Sequence, residues 1–134
     1  MEAQLANPMM IDVPPQAVGG VLCVRMAGDV DIADQRELSL AETSIRGPGA
    51  QRVILDVGPV TFFGSTLVNF LVHLVEKAPG GQVVLCRPSP IARRVLGALT
   101  LPGQISIRPD LPPEWVEPAP PSSRDRPRVI RAAS

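Results

Sequence analysis

A chain of 134 residues with 45% apolar side chains is long enough for one domain with a core of its own. Thirteen basic residues balance thirteen acidic ones, so a net charge of zero removes the usual electrostatic case for binding nucleic acid or an anionic membrane. With one histidine and two cysteines, and no CxxC spacing, a structural metal site of about four ligands is excluded, and no cofactor motif is present.

Residues 1–8 read as a flexible N-terminus: Glu2 and the lack of a basic start or an apolar core argue against a signal peptide. Met9–Val13 reads as a short strand, and the turn-rich Pro14–Gly20 can close a hairpin onto the β-rich run Val21–Ala27, which ends at Gly28. Asp31 or Asp34 can cap a helix in which Ile32, Leu38, Ala41 and Ile45 recur at helical spacing, stopped by Gly47-Pro48-Gly49. Arg52–Val57 is a continuous apolar run of the kind found in a strand covered by helices.

Thr66–Ala78 carries the strongest helical pattern, with Leu67, Phe70, Leu71, Leu74 and Ala78 on its buried side and Asn69, His73, Glu76 and Lys77 opposite. Pro79-Gly80-Gly81 ends it, and Gln82–Cys86 is the next strand. Ser89-Pro90 supplies a cap and a first-turn proline for a helix whose apolar face is Ile91, Val95, Leu96 and Leu99, with Arg93 and Arg94 opposite. Ile105–Arg108 reads as a last strand. Cys23 and Cys86 lie in apolar runs and read as buried, reduced positions; a disulfide would need their strands side by side.

This order implies right-handed crossovers and an α/β fold, with helices packed against a mixed, mostly parallel sheet over residues 9–108. From Pro109 to Ser134 prolines and arginines dominate, and a disordered tail is expected. Within it Trp115 and Val116 can fold back onto the body. No stretch approaches the roughly 20 apolar residues of a membrane span, so a soluble, cytoplasmic protein is expected.

Motifs for catalysis are scarce. Gly64-Ser65-Thr66-Leu67 lacks the second glycine of GxSxG, there is no GxGxxG or P-loop, and His73 shares a helix with Ser65 on an outward face. A small enzyme would have only Asp29, Asp31 and Ser65 to draw on, and the two aspartates suit capping at a strand end better. What stands out is Val57–Thr66, VGPVTFFGST. A buried strand ends there, two phenylalanines follow, and two hydroxyl residues open a helix. Those hydroxyls can cap helix amides, and the helix N-terminus also favours a phosphate.

Gly28-Asp-Val-Asp31, Val53-Ile-Leu-Asp56, Val60-Thr-Phe-Phe-Gly-Ser-Thr-Leu67, Gly81-Gln-Val-Val-Leu and Ile91-Ala-Arg-Arg-Val-Leu, in that order over Met9–Arg108, closely resemble the STAS domain. More narrowly they resemble the bacterial anti-sigma factor antagonists. The resemblance implies a domain without catalysis of its own. It implies a partner, an anti-sigma factor with a GHKL-type serine kinase domain, that is bound by the unmodified form and released on phosphorylation. The family motif Asp-Ser-Ser/Thr-Gly places the phosphate on its third position, here Thr66, with Ser65 just before it. Gly64 stands in place of the aspartate, and Leu67 in place of the glycine. The expected contact residues are Asp29, Asp31, Phe62, Phe63, Gly64, Ser65, Thr66 and Asn69. The alternative expectation is a STAS scaffold or small-ligand-sensing module without phosphorylation.

Overall fold

The computed structural model describes residues 7–76, 81–117 and 128–131. Along the chain run β1 (Met10–Val13), β2 (Val21–Asp29), a 3-10 turn (Ile32–Asp34), α1 (Gln35–Arg46), β3 (Arg52–Asp56), β4 (Val60–Phe62), α2 (Ser65–Glu76), β5 (Gln82–Cys86), α3 (Pro90–Gly97), β6 (Ile105–Arg108) and β7 (Arg128–Arg131). The sheet order is β6-β5-β3-β2-β1-β7, with β4 attached beside the end of β2. β2, β3, β5 and β6 are mutually parallel, β1 runs back against β2 as a hairpin, and β7 pairs antiparallel with β1. The mixed, mostly parallel α/β arrangement read from the strand–helix rhythm is the one observed.

Side chains alternate across a strand, so each strand feeds two faces. Leu22, Val24 and Met26 of β2, Val53 and Leu55 of β3, and Val83 and Leu85 of β5 join one large cluster with Leu38, Ala41 and Ile45 of α1 and Leu67, Phe70, Leu71 and Leu74 of α2. On the other face Cys23, Ile54 and Val84 stand in one cross-strand row, and Cys86 joins them. Among the described residues no helix supplies that smaller cluster; Val21, Leu111 and Trp115 close it. β3 is therefore covered by helices on one side only, which corrects the expectation of a helix-covered strand. Because β3 lies between β2 and β5, Cys23 and Cys86 are two strands apart, and both thiols are free.

Other expectations change once packing is known. Ile32 is 72% exposed, outside the apolar stripe of α1, because the chain first makes the 3-10 turn. In α3 the buried residues are Ala92 and Leu96, while Ile91, Val95 and Leu99 face outward. Ser89 caps α3 through the Ala92 amide at 3.1 Å, as its sequence suggested. β4 was not apparent from three residues inside a turn-rich stretch. The predicted end of α2 at Pro79-Gly80 falls on residues outside those described.

The tail expectation needs correction where residues are described. Residues 111–117 lie against the open face of the sheet, and Arg128–Arg131 adds a strand to β1, burying Ile130. The physical reason is local: RVIR follows the last proline, carries two β-branched residues and meets an open strand edge. Residues 118–127 and 132–134 lie outside the described part, as do residues 1–6. Asn7 and Pro8, expected to be flexible, are exposed but held by backbone contacts: the Asn7 carbonyl accepts from the Asp29 amide at 2.8 Å. Pro8 passes so close to Gly28 that a Cβ there would stand 2.2 Å from the Pro8 oxygen, and Gly28 also needs a φ of +80°.

Candidate functional site: the loop between β3 and α2

The loop leaves β3 at Asp56 and is drawn across to β2 by β4. Gly28 pairs with Val60 and Asp29 with Phe62, and the Val30 amide donates to the Phe62 carbonyl at 3.2 Å. Thr61 Oγ1 donates to Asp29 Oδ1 at 2.6 Å. Asp29 and Phe62, far apart in sequence, are thereby neighbours. Asp31 points its carboxylate elsewhere: it accepts the Ile32 amide at 2.5 Å and caps the 3-10 turn, while Asp34 reaches back to the Asp31 amide.

The Gly64 carbonyl accepts from the Leu67 and Val68 amides at 3.2 and 3.4 Å, so Gly64 occupies the cap of α2. Ser65 and Thr66 are then the first two helical residues, not caps, which corrects the capping expectation. Ser65 is exposed, whereas Thr66 is 9% exposed and lines a groove of about 290 Å³ between α1 and α2 with Gln35, Ser39, Asn69 and His73. Phe62 is 52% exposed, and its ring would be 3.1 Å from a Cβ on Gly64. That ring occupies the space an aspartate side chain would enter. Phe63 instead turns inward against the core. Leu67 is fully buried, so its bulk serves the core and does not crowd the outer surface of the helix start.

The base of the loop is held by a buried carboxylate. Asp56 is 0% exposed and accepts from Arg25 Nε at 2.8 Å, from Arg87 Nε and Nη2 at 2.9 and 2.7 Å, and from the Gly58 amide at 2.9 Å. Burial works against its charge, yet the hydrogen bonds from Arg87, the Gly58 amide and Arg25 outweigh it and hold its pKa below the ordinary carboxylate value. Arg87 holds its fork in the left-handed region, at φ +60°. A Cβ on Gly58 would stand 2.7 Å from that guanidinium, so a larger residue there would push Arg87 off Asp56. Arg25 also forks onto Glu117 at 2.9 and 3.0 Å.

Sequence reasoning did not assign roles to Arg25, Asp56 and Arg87. The available signal was a charged residue ending an apolar strand run, Val53-Ile-Leu-Asp56. What was missing was the register that sets Arg25 opposite Asp56. Of the expected contact residues, Asp29, Phe62, Gly64 and Ser65 meet around the loop, Thr66 and Asn69 share the groove, and Asp31 and Phe63 serve local structure. Among the described residues no group of three or more His, Cys, Asp or Glu is placed to hold a metal ion, and no helix is long and apolar enough to cross a membrane.

No curated protein sequence matches the chain. Among solved structures, the anti-sigma factor antagonist SpoIIAA in its unphosphorylated form is similar, with a TM-score of 0.57 at 17% identity over 77% of this chain and 91% of that one. At that identity the likeness concerns the fold. The family model of the STAS domain matches residues 12–112, which takes in the end of β1, the elements from β2 through β6, the loop and the first part of the segment over the open face. With three quarters of its sequence fitted to that model and its strands and helices arranged as in SpoIIAA, the chain belongs to the STAS domain family.

Proposed function

We propose that this chain is an anti-sigma factor antagonist that works by partner switching in a bacterial cytoplasm. Unmodified, it binds an anti-sigma factor carrying a GHKL-type serine kinase domain; phosphate on the first turn of α2 ends the binding. The domain itself performs no catalysis. One observation carries the reading: the exposed Ser65 opens α2 next in sequence to Gly64, over which the half-exposed Phe62 ring leans. Exposed Ile32 follows β2 at the same end of the sheet, so apolar side chains there give a partner something to grip. A phosphoryl group would add about −1.5 to −2 charges on this surface. The helix amides would favour it, while a partner fitted to the neutral surface would be repelled. Motif order favours Thr66 as the acceptor; exposure favours Ser65.

Incubation with ATP and the candidate kinase partner, followed by phosphate mapping, tests the switch. Phosphate is expected on Thr66 or Ser65, and Ser65→Glu or Thr66→Glu should weaken partner binding about tenfold or more, as burying an unpaired charge in an interface does. Phosphate on neither residue removes the switch. A second reading, a STAS scaffold or small-ligand sensor without phosphorylation, is favoured by Gly64 in the motif and by a cavity of about 330 Å³ at the opposite end of the sheet, lined by Ile45, Val53, Leu74 and Val75. Under that reading both glutamate variants bind partners unchanged.

A further inference from the structure

The open face of the sheet is closed by seven residues with no helix or strand of their own. Leu111 and Trp115 pack on Cys23, Ile54, Val84 and Cys86. Cys23 Sγ lies 3.7 Å from the Glu114 carbonyl and 3.5 Å from the Val116 amide. Glu114 pairs with Arg52 at 3.1 Å, at the start of β3. Glu117 grips Arg25, whose guanidinium also stands 5.1 Å from the centroid of the Trp115 ring, and the Trp115 indole N–H donates to the same carboxylate.

We propose that residues 111–117 are a displaceable strap, latched over the sheet by Trp115 and Glu117, and that its seating is transmitted through Arg25 and Asp56 to the loop bearing Phe62 and Ser65. Two physical features carry this. First, the latch is weak compared with the helical face. The Glu117 side chain is 62% exposed, and an ion pair so open to solvent is screened and contributes modestly. A segment fixed by a few side chains opens locally far more often than the whole sheet unfolds. Second, the latch is not isolated. The arginine that holds Glu117 also orients Asp56, and Asp56 fixes the Gly58 amide at the root of the loop. When Glu117 leaves, Arg25 is free to turn toward solvent. Asp56 then loses one of the donors that set its orientation. The inference goes beyond the partner-switching reading and needs no partner for its test.

The full chain reports on itself, because Trp115 is its sole tryptophan and Cys23 lies beneath the strap. Glu117→Gln removes the charge without removing buried volume. In that variant the Trp115 emission should shift to the red. Native-state labelling of Cys23 with a disulfide reagent, located by mass spectrometry, should accelerate roughly three- to fivefold, the size expected for an exposed pair. Labelling should depend only shallowly on urea, and amide exchange at Gly58 should rise with it. Molar salt, which screens the pair, should do the same to the unmodified protein. Unchanged emission and labelling in Glu117→Gln would overturn the latch. Faster labelling with unchanged Gly58 exchange would overturn the coupling. A urea dependence as steep as global unfolding would overturn both, making the segment part of the core.

Discussion

Leu67 shows how one residue can meet two demands. In the resembled motif its position belongs to glycine, yet here the side chain is fully buried between α2 and the sheet. Leu67→Gly would leave a cavity and weaken the first turn of the helix, a combined cost of about 4 kcal/mol. The expected drop in the urea midpoint, with Ser65 still exposed, would show that the departure serves packing. Gly64 is the complementary case: the Phe62 ring leans over it, so an aspartate there would have to displace an aromatic side chain.

Among elements, β7 and α3 are the two that pattern reading placed least well. β7 holds to the sheet by four paired residues and by Ile130, which is 7% exposed. Ile130→Ala should cost about 2 kcal/mol, as shortening a buried side chain at a sheet edge does, measurable as a lower thermal midpoint. Were the segment a mobile tail, the substitution would change nothing. In α3, apolar residues fall on both sides of the helix, so of the four residues that spacing assigned to the buried face only Leu96 is buried. Ala92 and Leu96 face the core, and Ile91, Val95 and Leu99 do not.

Across the whole molecule, the groups whose pKa values folding shifts set how stability varies with pH. Asp56 has its pKa lowered because hydrogen bonds from Arg87, the Gly58 amide and Arg25 overcome its burial, and Glu117 has its pKa lowered chiefly by the hydrogen bond from Arg25. Both folded values lie below the unfolded ones of about 4, so their contribution is present above that pH and is lost as the pH falls through the folded values. At the alkaline end the order reverses. Burial pushes the Cys86 thiol up to about 11, so its contribution holds below the unfolded thiol value and is lost as the pH rises through 11. Urea unfolding followed from pH 7 to pH 2 should therefore show a falling acid limb. Asp56→Asn should flatten that limb and cost about 3 kcal/mol at neutral pH, since it leaves two arginines facing a neutral buried group. A limb of unchanged slope would show that Asp56 is not the carboxylate responsible.

The strand–helix order from β1 to β6, β4 apart, the hairpin, the Ser89 cap and the family resemblance follow from the sequence by itself, because periodicity, turn residues and caps are short-range signals. Tertiary structure alone decided the rest: that Asp56 sits between Arg25 and Arg87, that Thr66 turns into a groove while Ser65 stays outside, and that the fold-back the sequence allowed at Trp115 lands on the open face of the sheet. Each depends on strand register and on which face lacks a helix. Those are set by contacts between residues tens of positions apart, which no local pattern encodes.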